Sequence, residues 1–377
     1  MRVMSGLNKK DTSIKKNMDI GMLITIIILL CAGLIMVASA SSYFALNTYS
    51  NSNFFLTRQL IFAVGGIIAM LIISKMDYHI YKKWSYLGFA VAILLLIAVL
   101  TPLGVKVNGA KRWLGFGTVF RFQPSEIMKI VIVLALSTYL SNNFKKLSKL
   151  KGYYVPIAMI GVVVLVMFLQ KHMSGALIIA FGAASVILCS GIKIKPKYII
   201  ILSIIGALAV SAFIVAEPFR VKRLLSFANP EEDIRGGNWQ AAQSLYAIGS
   251  GGLFGRGLGQ SRQKYLWLPE AQNDFIFSVL GEEFGLLGTV TVLGLFTFFI
   301  YRGYKIAIGC NDLYGSLIAT GITSVFALQI LVNIAVVTCT MPVTGMPLPF
   351  FSYGGTALFI NLCSMGIVLS ISRNCKN

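Results

Sequence analysis

The chain has 377 residues, of which 56% are hydrophobic and only 12% charged, with a mean hydropathy of +0.79. A water-soluble fold of this size carries roughly twice that share of charge, so a soluble enzyme or binding module is excluded and a polytopic membrane protein is indicated. The formal net charge of +20 does not call for nucleic acid, because much of it follows a membrane topology.

Stretches of about 20 apolar residues cross a bilayer core of roughly 30 Å as helices. In chain order, spans are predicted at Ile20 to Ala40, Leu60 to Ile73, Trp84 to Leu100, Ser125 to Leu140, Val155 to Gln170, Gly175 to Gly191, Ile199 to Val215, Phe275 to Ile300, Leu317 to Thr340 and Ala357 to Ile371. The expected fold class is an all-α polytopic integral membrane protein of ten transmembrane helices. Residues 1–19 and 373–377 would be tails, and 20–372 one membrane domain. The first apolar stretch exceeds a usual signal-peptide core and is followed by only a weak small-residue site, so it is expected to stay as a span.

Short cytoplasmic loops are enriched in Lys and Arg. The N-terminal tail carries Arg2, Lys9, Lys10, Lys15 and Lys16, and every second connection is basic: Lys75, Lys82 and Lys83; Lys145, Lys146, Lys149 and Lys151; Lys193, Lys195 and Lys197; Arg302 and Lys305; Arg373 and Lys376. Both termini are therefore expected inside. The six cysteines show no paired metal spacing and read as packing residues.

One long connection, 217–273, falls outside. Its aromatic residues, Trp239, Tyr246, Phe254, Tyr265 and Trp267, argue against disorder, and "NWQAAQSLYAIGSGGLFGRGLGQ" reads as an amphipathic helix followed by a glycine-rich turn. A structured outer cap is expected. The outer segments are also unexpectedly basic: Lys106, Lys111, Arg112 and Arg121 before the fourth span, then Arg220, Lys222, Arg223, Arg235, Arg256, Arg262 and Lys264 in the long loop. One account is that long loops translocate regardless of charge and that lipid headgroups attract them. The other is an anionic substrate handled at the outer face.

Three outer motifs could carry chemistry. In "FRFQPSEIMK", Pro124 suits a first helical turn, Gln123 or Ser125 can cap it, and Glu126 complements the positive helix end. Capping does not explain Lys129, one turn inside an apolar helix and on the same face as Glu126, where an ionisable group is costly. In "WLPEAQNDFIFSVLGEEFG", Asp274 opens the eighth span either as a helix-end acid or as a functional carboxylate. Glu282 and Glu283 lie deeper, and Glu283 is expected in a structural ion pair, with Lys129 or a backbone group as its partner. In "MPVTGMPLPFFSYGG", a rigid loop feeds the tenth span, as a re-entrant turn or as a phosphate cradle using Ser352 and the Gly354 and Gly355 amides. With an internal N-terminus, the fourth, eighth and tenth spans all aim positive helix ends outward, which together with the cations makes a pyrophosphate pocket. His172, alone in a short outer turn, reads first as structural.

The motifs "QPSEIMK", "NWQAAQSLYAIGSGGLFGRGLGQS", "LPEAQNDFIFSVLGEEFG" and "PVTGMPLPFFSYGG", in this order across Met18 to Ser372, resemble the shape, elongation, division and sporulation (SEDS) family, in its division and sporulation (FtsW/SpoVE-like) branch. The resemblance implies a ten-helix peptidoglycan glycosyltransferase in the cytoplasmic membrane. It would polymerise lipid II on the extracellular side, with a class B penicillin-binding protein and the division or sporulation machinery as partners. Carried over by motif, the essential acid falls on Asp274, the mouth arginine on Arg121, and the helix acid and base on Glu126 and Lys129. Gln123, Lys111, Arg112, Glu270, Asn273, Ser352 and Gly354 complete the expected substrate-contacting set. Two positions depart from the family pattern: Lys171 stands where Pro is usual, and Gln272 where His is common.

A sugar leaving on a pyrophosphate needs charge stabilisation more than a proton donor. Arg121, Lys129, helix ends and a divalent cation, Mg2+ or Mn2+, are the expected sources, and no organic cofactor is implied. Asp274 would then be the base that deprotonates the acceptor hydroxyl. The rival from another class is a lipid II flippase in which Glu126, Lys129 and Glu283 form a transport path; a non-catalytic scaffold is a third reading.

Overall fold

The computed structural model describes residues 17–107, 110–116, 120–144, 150–191 and 238–373, with single positions at 206, 211, 215, 221 and 227. The described chain runs α1 (Ile20–Tyr49), α2 (Phe54–Lys75), α3 (Ile80–Leu100), β1 (Gly104–Val107), β2 (Ala110–Phe116), β3 (Phe120–Phe122), α4 (Pro124–Asn143), α5 (Tyr154–Leu169), α6 (Met173–Cys189), α7 (Trp239–Ser250), α8 (Ile276–Gly309), α9 (Leu313–Val337) and α10 (Gly355–Ser372). Seven of these helices are long and apolar enough to cross a membrane, and α5 and α6 are shorter apolar helices. The chain is thus a mostly helical polytopic protein. The expected seventh span, Ile199 to Val215, falls outside the described residues apart from single positions. So do the tail cations up to residue 16, the basic positions between 145 and 149 and between 193 and 197, and Arg220, Lys222, Arg223 and Arg235.

Helix ends follow local chemistry. The Asp19 side chain accepts from the Met22 amide at the start of α1, Asp312 does the same for Gly315 in α9, and Pro124 occupies the first turn of α4. α4, α9 and α10 are largely buried, whereas α2 and α3 expose most of their length, which sorts the helices into an inner group and a lipid-facing group. α9 packs against α4, α6 and α8, and α2 runs along α10.

The all-α expectation needs one correction. Residues between α3 and α4 form a three-stranded antiparallel sheet, ordered β1-β2-β3, with Val105 opposite Trp113 and Leu114 opposite Phe122. Valine and aromatic residues here favour a pleated surface over a helix. Ala110 and Leu114 are buried, and Arg112, between them on the same face, is only partly exposed.

α7 and the glycine-rich turn after it have the expected helix-then-turn form and pack on α8 as a cap. α8 is longer than its predicted span and is broken at Gly285 (φ 65°, ψ −160°). There the turn substitutes for the missing helical bonds: the Arg256 and Gly257 amides donate to the Glu282 and Glu283 carbonyls, and the Leu286 and Leu287 amides donate to the Gly252 and Leu253 carbonyls, at 2.9–3.1 Å. A Cβ on Gly285 would stand 2.3 Å from the Gly255 nitrogen, so the contact depends on glycine.

Candidate functional site

The start of α4 builds the site. Glu126 and Lys129, three residues apart on one face, form a buried ion pair at 2.7 Å, which offsets part of the cost of placing each charge inside an apolar bundle. Lys129 Nζ also donates to Gln329 Oε1 at 3.0 Å, and Gln329 Nε2 donates to the Pro347 carbonyl at 2.8 Å. One turn along α9, Asn333 Nδ2 donates to the carbonyls of Asp274 (2.8 Å) and Met346 (2.7 Å). Two amides of α9 therefore tie α4, the segment before α8 and the proline-rich loop into one assembly.

These elements line a small cavity formed by Gln123, Ser125, Glu126, Lys129, His172, Gly175, Gly345, Met346 and Pro347. Asp274 is partly buried, and its Oδ2 lies 3.4 Å from where a Cβ of Gly345 would stand, so the carboxylate is beside the cavity wall. Gly345 adopts a φ of 69°, and any side chain there would intrude between the two.

Other expected site residues take different places. Arg121 is exposed on β3, two residues before Gln123. Arg112 Nη2 donates to the Lys171 carbonyl at 2.7 Å, bracing the turn between α5 and α6, and Lys111 reaches the Thr101 carbonyl at 3.5 Å. Glu270 and Asn273 bond to each other at 2.5 Å. Two of the donors expected at a phosphate in the proline-rich loop, Ser352 Oγ and the Gly354 amide, make internal bonds. Ser352 Oγ donates to the Asn273 carbonyl at 2.5 Å and accepts from the Leu348 amide, while the Gly354 amide donates to Gln59 Oε1 at 3.1 Å. The helix N-termini that border the cavity are those of α4 and α6. Neither Gln123 nor Ser125 caps α4 through its side chain.

Glu283 pairs with Lys264 at 3.3 Å and accepts from Ser39 Oγ at 2.6 Å and from the Ser261 amide at 3.4 Å, so the expected backbone partner is present and the cation is Lys264 of the cap rather than Lys129. Glu282 accepts from Ser261 Oγ and from the Arg262 and Gln263 amides. Both glutamates anchor the cap to α8, and Glu283 ties it to α1.

Three residues that sequence reasoning passed over or undervalued belong to the site. Gln329 and Asn333 are one turn apart on α9, and that i, i+4 pair of amides inside an apolar span was the available signal. His172 is buried against the cavity with Gln123 Nε2 3.5 Å from its ring nitrogens. Burial first, then the Arg112 and Lys129 charges, push His172 down to about 3, so its imidazole is neutral. Lys171 has a φ of 56°, a conformation closed to proline.

Comparison with known proteins gives consistent matches along the chain. A family model described as cell cycle protein, covering FtsW, RodA and SpoVE, matches residues 21–377. The chain is 41% identical over 364 residues to stage V sporulation protein E of Bacillus subtilis, covering 96% of this chain and 99% of that protein. It is 37% identical over 359 residues to a probable peptidoglycan glycosyltransferase FtsW of Trichlorobacter lovleyi, covering 95% and 94%. Among solved structures, a chain of a peptidoglycan synthase complex that coordinates polymerization and crosslinking superposes with a TM-score of 0.76 at 26% identity, covering 94% of this chain and 98% of that one. The rod shape determining protein RodA of Thermus thermophilus gives 0.69 at 26% identity, covering 96% and 98%.

Proposed function

The chain belongs to the FtsW/RodA/SpoVE family of cell cycle proteins, and from that premise we propose that it is a peptidoglycan glycosyltransferase that joins lipid II into β-1,4 glycan strands for septum or spore-cortex synthesis. The observation that carries this reading is the Asp274 carboxylate set beside a cavity whose opposite charge is the buried Lys129. The growing lipid-linked strand is the donor and lipid II the acceptor. Asp274 takes the proton from the acceptor's 4-hydroxyl as its oxygen bonds to the anomeric carbon, while the bond from that carbon to the pyrophosphate breaks and configuration inverts from α to β. Lys129 and Arg121, with the α4 and α6 N-termini, compensate the charge on the departing pyrophosphate. An ordinary carboxylate is a weak base, so positioning by Asn333 and partial burial carry much of the effect.

A Mg2+ or Mn2+ ion belongs to this reading as a companion of the pyrophosphate. Among the described residues no three His, Cys, Asp or Glu side chains are grouped to hold a metal, so such an ion would rest on one carboxylate, substrate oxygens and water. The reading places the protein in the cytoplasmic membrane with both termini inside and the cavity outward. A class B penicillin-binding protein is the proposed partner, supported by the likeness to a chain of a complex that couples polymerization to crosslinking.

Purified protein, with and without that transpeptidase, is assayed on labelled lipid II. Asp274→Asn is expected to lower polymerisation by about 10²–10⁴-fold with an unchanged melting temperature. Near-normal polymer from the folded variant refutes the base assignment. Movement of lipid II across vesicles without polymer would instead identify a carrier.

A further inference from the structure

Two polar latches join α1 to α8. At one end Arg302 pairs with Asp19, and at the other Ser39 and Lys264 meet Glu283. From Asp19 to Ser39, α1 rises about 30 Å, which is the thickness of a hydrocarbon core. Between the latches the exposed positions of α1 include Ile20, Ile24, Ile28 and Ile35, a stripe suited to acyl chains. On α8, residues 276–283 are all buried, and the exposed apolar face begins only at Phe284, continuing through Leu286, Leu287 and Val290. The outer boundary of the apolar core therefore lies near Ser39 and Glu283.

The glycine-rich turn of the outer cap is fastened at that level, because its backbone bonds to residues 282–287 across the Gly285 break. Its side chains point away from the protein: Phe254 is 79% exposed, Leu253 60% and Leu258 54%. Three large apolar groups on a loop that should stand in water require a cover. Their continuity with the lipid-facing stripe at Phe284, Leu286 and Leu287 identifies it.

We propose that residues 251–259 form a wedge seated in the outer leaflet, with Leu253, Phe254 and Leu258 among the acyl chains and the nearby exposed Arg262 facing headgroup phosphates, while Arg256 pairs with Glu282 at 3.6 Å and fastens the wedge to α8. Exposed Tyr265 and Trp267, with Tyr265 edge-on to Tyr43 at 4.8 Å, supply the aromatic belt that marks such a boundary. Part of the cap is thus membrane-inserted, which fixes its height above the bilayer. This inference does not depend on the enzymatic reading.

The test places tryptophan at the wedge, as Phe254→Trp and separately Leu258→Trp, in the full chain reconstituted in nanodiscs. The added emission is taken as the difference from the parent protein. Lipids brominated near the top of their acyl chains are expected to lower that emission about twofold or more, since an interfacial element sits roughly 5–10 Å into the boundary, and aqueous iodide to leave it little changed. Quenching by iodide and none by brominated lipid, for both variants, would overturn the proposal and place the turn in water. A protein partner covering the turn would protect the added tryptophan from both quenchers only when that partner is present, and that outcome also overturns it.

Discussion

The side-chain amide of Asn333 donates to the carbonyl of Asp274 at 2.8 Å, and the same nitrogen reaches Met346 at 2.7 Å. The backbone that carries Asp274 and the loop its carboxylate faces are therefore hung from one buried residue of α9, which sets the spacing between the two segments.

Asn333→Leu removes that suspension while leaving Asp274 in place. Two carbonyls lose a donor, which costs about 1–3 kcal/mol in a buried setting. Misplacement of the carboxylate is expected to cost up to about 10²-fold in polymerisation. Turnover of labelled lipid II and the melting temperature, measured on the same preparation, check both.

The Glu126–Lys129 pair can be separated into structural and catalytic parts. Lys129→Met strands a buried carboxylate and is expected to destabilise the protein by about 3–5 kcal/mol. Adding Glu126→Gln should restore most of the stability but none of the activity, because the cation is still missing from the cavity. Recovery of polymerisation by the double variant would show that Lys129 serves only to neutralise Glu126.

His172 introduces a pH dependence whose sign is fixed. Its folded value, about 3, lies below the ordinary 6.5 of histidine. Between those values the unfolded chain binds a proton that the folded chain excludes, so stability falls as pH drops from about 6.5 towards 3 and is unaffected above that window. His172→Gln, which keeps a polar group near Gln123, should flatten that part of the melting-temperature profile. An unchanged slope would mean that the imidazole is protonated in the folded protein.

Lys171 separates this chain's turn from a proline-bearing one. Its φ of 56° and its amide bond to the Phe168 carbonyl are both incompatible with proline, and its carbonyl is braced by Arg112. Lys171→Gly is expected to be neutral or stabilising by up to about 1 kcal/mol, whereas Lys171→Pro should destabilise by about 3 kcal/mol or more. Thermal unfolding in detergent distinguishes them.

The apolar spans were legible because a bilayer imposes a length that composition alone reveals. The sheet was not, since a search for long apolar windows passes over short strands. The alternation of valine and aromatics around Asn108-Gly109 was nevertheless a hairpin signal in the sequence. Glu126, Lys129 and Asp274 stood out because charge in or beside an apolar helix is conspicuous. Gln329, Asn333 and His172 did not, because neutral polar groups hardly alter hydropathy and their importance lies in contacts remote along the chain. For the same reason Glu283 could be expected to pair, but its partner Lys264 could not be chosen over Lys129 until the cap was folded back onto α8.

The cavity walls come from residues at the starts of α4 and α6 and from residues 345–347, with Gln329 bridging α4 and the loop. During biogenesis, a nascent chain threaded into the membrane only as far as α6 already carries Glu126 and Lys129, yet lacks the opposite wall and Asp274. Prematurely terminated products therefore lack the assembled cavity, which is completed only when almost the whole polypeptide has been delivered.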